Sequence, residues 1–148
     1  MKYEIDELDR AMIKLLSGDG RMSFTEMSSR LNVTEKTVRA RYKNLIENDI
    51  LSVVGVVNPI ALGLKAEAII QMKIQTGMLQ TAIEELKNIH EIRFITMTSG
   101  EYPLLAQITV QNQDEITNIL YKLDQISCIK EYKSMVQLQV YKNTFEYI

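Results

Sequence analysis

Over residues 1–50 the apolar side chains return at helical spacing. Leu8, Met12, Leu15 and Leu16 fall at i, i+4, i+7 and i+8, which places them on one face of a helix. Asp6 stands just before them as a cap whose carboxylate can accept from the free amides of the first turn. The run Ser17-Gly18-Asp19-Gly20 supplies the stop. Ser23-Phe24-Thr25-Glu26 has the form of a capping box, with Met27 and Leu31 following on one side of a short second helix. Asn32 occupies the break, asparagine being a residue that tolerates left-handed backbone. Thr34 then caps a third helix on which Val38, Tyr42, Leu45 and Ile46 share one face. Lys36, Ala40, Lys43 and Glu47 share the opposite face, with Thr37, Arg39 and Asn44 on its shoulders. Asn48-Asp49 ends that helix, and Ile50 to Val57 reads as an extended strand closed by Asn58-Pro59.

Past this point strands alternate with helices. Ile70, Met72 and Ile74 alternate with Gln71 and Lys73 as in a half-buried strand, and Leu79, Ala82, Ile83, Leu86 and Ile89 return to helical spacing. Arg93 to Thr98 forms a strand, Ser99 to Pro103 a turn, and Leu104, Ala106, Ile108 and Val110 alternate again. Asn112 and Glu115 can start a helix carrying Ile116, Ile119, Leu120, Leu123 and Ile126, and Val136, Leu138 and Val140 alternate in a last strand. The order is βαββαβ, that of a ferredoxin-like sandwich with two helices on one face of a four-stranded antiparallel sheet. The fold class expected is therefore α+β: a winged helix-turn-helix over 1–50, a strand and connector over 51–63, and a ferredoxin-like domain over 64–148. The sheet's other face would display Gln71, Lys73, Gln107, Thr109, Gln137 and Gln139, with Leu105, Met135 and Tyr141. Uncharged amides mixed with Leu, Met and Tyr suit a partner surface better than a solvated one.

Composition narrows the partners. The chain has 148 residues, 46% of them hydrophobic, and a net charge of -2, so overall charge will not draw it to nucleic acid. A local patch can, since Arg30 to Lys43 holds five cations (Arg30, Lys36, Arg39, Arg41, Lys43) against one acid, Glu35. The charged N-terminus carries no apolar leader, and no apolar run is long enough for a bilayer, which points to a cytoplasmic protein with no membrane partner. Cys128 is single and flanked by Ile126 and Ile129, a buried structural thiol rather than part of a metal site. The one histidine, His90, ends an apolar helix face, and no Ser-His-Asp set, phosphate-cradling loop or ligand cluster accompanies it. No cofactor and no metal are expected.

Three short helices with a tight break before the third make a helix-turn-helix unit, whose third helix lies in the major groove of double-stranded DNA. Ala40 at the centre of the outer face lets the helix approach base edges and offers a methyl to thymine. Lys36, Thr37, Arg39, Lys43 and Asn44 surround it with donors for bases and phosphates, and Thr34 and Arg41 complete the set. Ser23, Thr25, Ser28 and Ser29 give the second helix short hydroxyls for phosphate. The alternative for this face is an ordinary solvated basic helix.

The segments IDELDRAMIKLLSGDGRMSFTEMSSRLNVTEKTVRARYKNLIENDIL, NPIALGL and TMTSGEYPLLAQITV together resemble the Lrp/AsnC (feast/famine) family of transcription regulators. The resemblance implies homodimers joined through the C-terminal sheets, often assembled into octamers. It also implies a small effector, commonly an amino acid, bound between subunits near Ser99, Gly100, Glu101 and Tyr102, with Ser134 reaching in from a neighbouring subunit. One departure is visible: where the family pattern runs close to T-G-x-Y-D, this chain reads Ser99-Gly100-Glu101-Tyr102-Pro103, so a donor-free ring replaces an aspartate. Two other functions share these features. The same two-domain fold resembles sirohaem decarboxylases, which would be expected to use histidine and arginine around a tetrapyrrole. The chain can also be read as an effector-binding oligomer that no longer binds DNA.

Overall fold

The computed structural model describes residues 3–144 and 147–148. They form two compact units: one runs to Val56 and takes in the C-terminal segment from Lys142, and the other is Val57–Tyr141.

The first unit holds helices α1 (Glu7–Gly18), α2 (Phe24–Leu31) and α3 (Glu35–Glu47). Each starts on a side-chain cap. Asp6 accepts from the Asp9 amide while Asp9 accepts from the Asp6 amide, so the capping box of the unit is on α1. Ser23 accepts from the Glu26 amide at 3.1 Å, but Glu26 turns to Arg30 instead of back to Ser23, leaving half of the expected box. Thr34 accepts from the Thr37 amide at 3.1 Å. The break between α2 and α3 rests on Asn32, whose φ of 53° and ψ of 45° are left-handed, as expected of that residue. Met12, Met27, Val38 and Leu45 are fully buried where the three helices meet. At about 1.5–3 kcal/mol for each such side chain, their burial outweighs anything the helices gain alone.

Residues 51–58 form no strand, against the expectation for Ile50 to Val57. An extended segment becomes a strand only when its amides and carbonyls meet a second one, and no described residue pairs with it. Val54 and Val56 are left more than 70% exposed.

The second unit is the βαββαβ sandwich: β1 (Ala66–Ile74), α4 (Leu79–Lys87), β2 (Ile92–Met97), β3 (Leu104–Val110), α5 (Gln113–Asp124) and β4 (Ile129–Val136). The strand order is β2-β3-β1-β4, antiparallel throughout. Ala66, Ala68, Ile70 and Met72 of β1 pack with Leu104, Ala106, Ile108 and Val110 of β3 under Ala82 and Leu86 of α4 and Ile116, Ile119 and Leu123 of α5. Cys128 lies in the same core and is a free thiol.

The last strand falls earlier than its hydrophobic alternation suggests. The ladder with β1 runs from Ile129 to Val136, and Leu138, 96% exposed, and Val140 lie beyond it. Leu138 and Val140 fall past the ladder, whereas the paired stretch mixes Lys130, Glu131 and Lys133 with apolar residues, as suits an edge strand that the helices barely cover. The uncovered sheet face carries Ile69, Gln71 and Lys73 of β1, Leu105 and Gln107 of β3, and Glu131, Lys133 and Met135 of β4, by the register, while Thr109, expected there, is buried. Gln139 and Tyr141 lie outside the sheet. Ile69 and Phe94 add apolar surface that the sequence reading did not place there.

Candidate nucleic-acid interface and effector turn

The tight α2–α3 break leaves one side of α3 free of core contacts. Lys36, Arg39, Ala40 and Lys43 are exposed along it, and Thr37 and Asn44 are half-buried at its margins. The charges are less free than the sequence suggests. Arg39 pairs with Glu35 at 2.7 Å and lies over the Phe24 ring at 4.9 Å, while Lys43 is 3.6 Å from Glu47. Lys36 alone of these cations has no carboxylate partner among the described residues. Pairs of this exposed i,i+4 kind are worth about 0.3–0.5 kcal/mol, so a phosphate can displace them at little cost. The Arg39 guanidinium and the Thr25 hydroxyl hold the Glu35 carboxyl below its ordinary range, the hydroxyl contributing most.

The hydroxyls predicted for phosphate contact already have work within the unit. Thr25 donates to Glu35 at 2.9 Å, Ser28 donates to the Thr25 carbonyl at 2.7 Å, Ser23 caps α2, and Thr34 shares a hydrogen bond with Thr37 at 2.8 Å. Thr25 and Glu35 thereby link α2 to α3.

Arg41 is placed differently from the expectation that it faces DNA. Its guanidinium reaches Asp6 at 2.7 Å, Asp9 at 3.3 Å and the Tyr3 hydroxyl at 3.2 Å. Asp9 is fully buried and also accepts from Tyr3 at 2.9 Å. An unpaired carboxylate there would be costly, and the cation that neutralises it is drawn inward from α3. Tyr3 and the two aspartates raise the Arg41 pKa further, while the Asp9 amide and Arg41 hold Asp6 below its ordinary value. The Asp6-x-x-Asp9 spacing was the sequence signal for this cluster.

The turn between β2 and β3 holds the residues expected to bind an effector. Gly100 has φ of +109°, and a Cβ built there meets nothing within 4 Å, so the residue supplies conformation rather than fit. Thr98 ties the turn's ends, its amide donating to the Pro103 carbonyl at 2.8 Å and its hydroxyl to the Tyr102 carbonyl at 2.7 Å. The amides of Ser99, Gly100, Glu101 and Tyr102 donate to no described residue. Glu101 folds over the uncovered sheet face to Lys73, and the Tyr102 hydroxyl donates to Glu131. The Lys73 and Lys133 ammonium groups lie 4.9 and 4.3 Å from the Tyr102 ring centre. Hydrogen bonds from Lys73 hold Glu101 below its ordinary range, and the Tyr102 hydroxyl does so for Glu131, with Lys73 adding to it. The register makes Ser134 the partner of Ile70, on the helix-bearing side, so within one chain it does not join this cluster. Lys73, Glu131 and Lys133 were missed from the sequence, since only the β1–β4 register brings them under the turn.

Residues 5–46 match the AsnC-type helix-turn-helix domain and residues 67–147 the Lrp/AsnC ligand binding domain. An HTH-type transcriptional regulator of Pyrococcus horikoshii is 34% identical over 95% of this chain and 90% of its own. The chain belongs to the Lrp/AsnC family of transcriptional regulators. Its fold is that of other Lrp/AsnC structures: AsnC of Escherichia coli superposes with a TM-score of 0.90 at 22% identity over 95% of this chain and 97% of that one. A Neisseria meningitidis transcriptional regulator, solved as an L-Met complex, gives 0.90 at 19% identity over 96% and 95%. The helix-turn-helix match lies within the first unit, and the ligand-binding match covers most of the second and runs past its end at Tyr141. No helix among the described residues is long and apolar enough to cross a membrane.

Proposed function

We propose that this regulator binds double-stranded DNA as a homodimer, reading sequence with the exposed side of α3, and responds to a small molecule held at the Gly100 turn. In this reading residues 1–50 bind DNA, 51–63 connect, and 64–148 bind the effector and assemble, with octamers as a further stage. The protein acts in the cytoplasm and catalyses no reaction. The observation that carries the reading is the free side of α3, where Ala40 sits between Lys36 and Lys43 with no core contact across it. Arg39 and Lys43 exchange their weak intrahelical partners for phosphate, Lys36 needs no exchange, and Thr37 and Asn44 reach base edges. Ser23, Thr25, Ser28 and Thr34 approach the backbone through hydroxyls that keep their structural bonds. Arg41 is assigned to the Asp6–Asp9 cluster rather than to DNA. The effector assignment rests on the four free amides of the turn, and the Neisseria meningitidis neighbour's L-Met complex supports a small ligand in this fold.

Selection of binding sites from random duplexes, followed by salt titration, tests the DNA reading. Lys36→Ala and Lys43→Ala should each reduce the log–log salt slope by about one unit, weakening all sequences alike. Ala40→Val should change which sites are selected. Unaltered slopes in both folded lysine variants would remove α3 from the groove. An absorbance scan with sirohaem tests the decarboxylase alternative, which predicts a bound spectrum that this reading does not.

A further inference from the structure

The two ion pairs on the free side of α3 differ in what each leaves behind when its cation turns to phosphate. Glu47 makes no second bond among the described residues, so its carboxylate can turn to water once Lys43 leaves. Glu35 has no such freedom. Its Oε1 accepts from Arg39 at 2.7 Å, while Oε2 accepts from the Thr25 hydroxyl of α2 at 2.9 Å, which fastens the carboxylate between the two helices. The Thr25 hydroxyl, and after it Arg39, hold its pKa below the ordinary value, so it is an anion at neutral pH. The centre of the Phe24 ring lies 4.9 Å from the Arg39 guanidinium and keeps that cation beside Glu35 in the free protein.

Glu35 is also the first residue of α3, and the first residues of a recognition helix are those that meet base edges. An anion fixed there, deprived of Arg39 and facing a polyanion, needs a donor. Phosphates have none. In the major groove the donors are the amino groups of cytosine and adenine. That of adenine sits beside the N7 acceptor, which repels a carboxylate, whereas cytosine shows its amino group alone. A cytosine therefore replaces the bond that Arg39 gives up, and the other bases do not.

We infer that Glu35 is a specificity-determining residue: held by Thr25, its carboxylate takes the amino group of a cytosine in place of Arg39, and Arg39 is released to phosphate at sites that carry that cytosine. At other sites the Glu35–Arg39 pair stays closed and Arg39 adds no phosphate contact. The inference rests on the reading of α3 given above.

Binding-site selection from random duplexes with the full-length protein and its Glu35→Gln and Glu35→Ala variants tests it, together with salt titration on a duplex that carries no selected site. The wild type should favour cytosine at one position of each half-site by about tenfold or more. Glu35→Gln keeps an acceptor for Thr25, and with it the α2–α3 link, yet should move that preference to adenine, the base that a glutamine amide suits. Glu35→Ala should select no base there and should bind non-specific DNA more tightly than the wild type. Its log–log salt slope on that DNA should be steeper by about one unit, because Arg39 is then free for a phosphate. A Glu35 that only joined α2 to α3 would give neither change. Cytosine selected by Glu35→Gln as by the wild type, or non-specific binding by folded Glu35→Ala no tighter than the wild type's, overturns the inference. If the Lys36→Ala and Lys43→Ala slopes still fall in that case, α3 stays in the groove and only the Glu35 assignment is lost; if those slopes are unaltered too, both fail.

Discussion

Arg41 shows how one side chain is claimed by the more demanding of two uses. It lies in the basic run of α3, yet the buried Asp9 leaves it no freedom to face outward. Removing one member of a buried pair costs about 3–5 kcal/mol. Asp9 keeps the Tyr3 hydroxyl and the Asp6 amide, and Arg41 is one-third exposed, so Arg41→Leu should cost nearer ~2 kcal/mol. Far-UV circular dichroism in urea should show the loss, and at temperatures where the variant stays folded its salt slope on DNA should match the wild type. A slope lowered as in Lys36→Ala would return Arg41 to the DNA surface. The same cluster gives the unit an acid dependence. Asp6 has a folded pKa below its ordinary 3.8, so its contribution is present above that value and lost as pH falls through the lower, folded one. Stability measured from pH 5 downward should fall less steeply in Asp6→Asn than in wild type.

At the scale of elements, caps decide where the helices begin. Thr34→Ala removes the acceptor for the Thr37 amide and should destabilise the unit by about 1 kcal/mol. At Asn32, glycine should be tolerated, while Asn32→Val forces a branched side chain into φ of 53° and should cost about 1–2 kcal/mol, read from the same urea midpoints. Equal midpoints for the Gly and Val variants would show that this turn is not the constraint. These caps were legible in the sequence because a cap acts over three or four residues. The helix faces and the strands β1 and β3 were legible too, since both bury one side continuously and so keep a strict period. Strand β4 was not, because an edge strand packs little and its charged residues hide the alternation. The segment Ile50 to Val57 shows the converse. Its valines have strand character, but strand formation depends on a second backbone that the sequence of one chain does not place. The turn cluster was half legible: Ser99 to Tyr102 announce a turn, whereas Lys73, Glu131 and Lys133 reach it through a register spanning 58 residues from Lys73 to Glu131.

For the whole molecule, the unsettled surface is the uncovered face of the sheet. Ile69, Leu105, Phe94 and Met135 place apolar area there, and the Gln107 amide donates to Gln137 at 2.9 Å across the same face. A face of this kind, mixing apolar side chains with satisfied amides, loses little when a second copy covers it. A homodimer formed this way carries two copies of α3, and its operator should show two-fold half-sites separated by ~34–36 Å or a multiple of it. The double variant Gln107→Glu, Gln137→Glu breaks the amide pair and puts four carboxylates into one dimer interface. Burying them without partners costs several kcal/mol, about enough to raise a micromolar dissociation constant into the millimolar range. Sedimentation at micromolar protein should therefore find a dimer or a multiple of it for the wild type and a monomer for the variant. The variant's circular dichroism should be unchanged, because both positions lie outside the core. It should still bind DNA weakly, through one α3 at a time and without preference for paired half-sites. A wild-type monomer at that concentration, or a double variant that stays dimeric, would move the interface off this face and leave the spacing of half-sites without its structural cause.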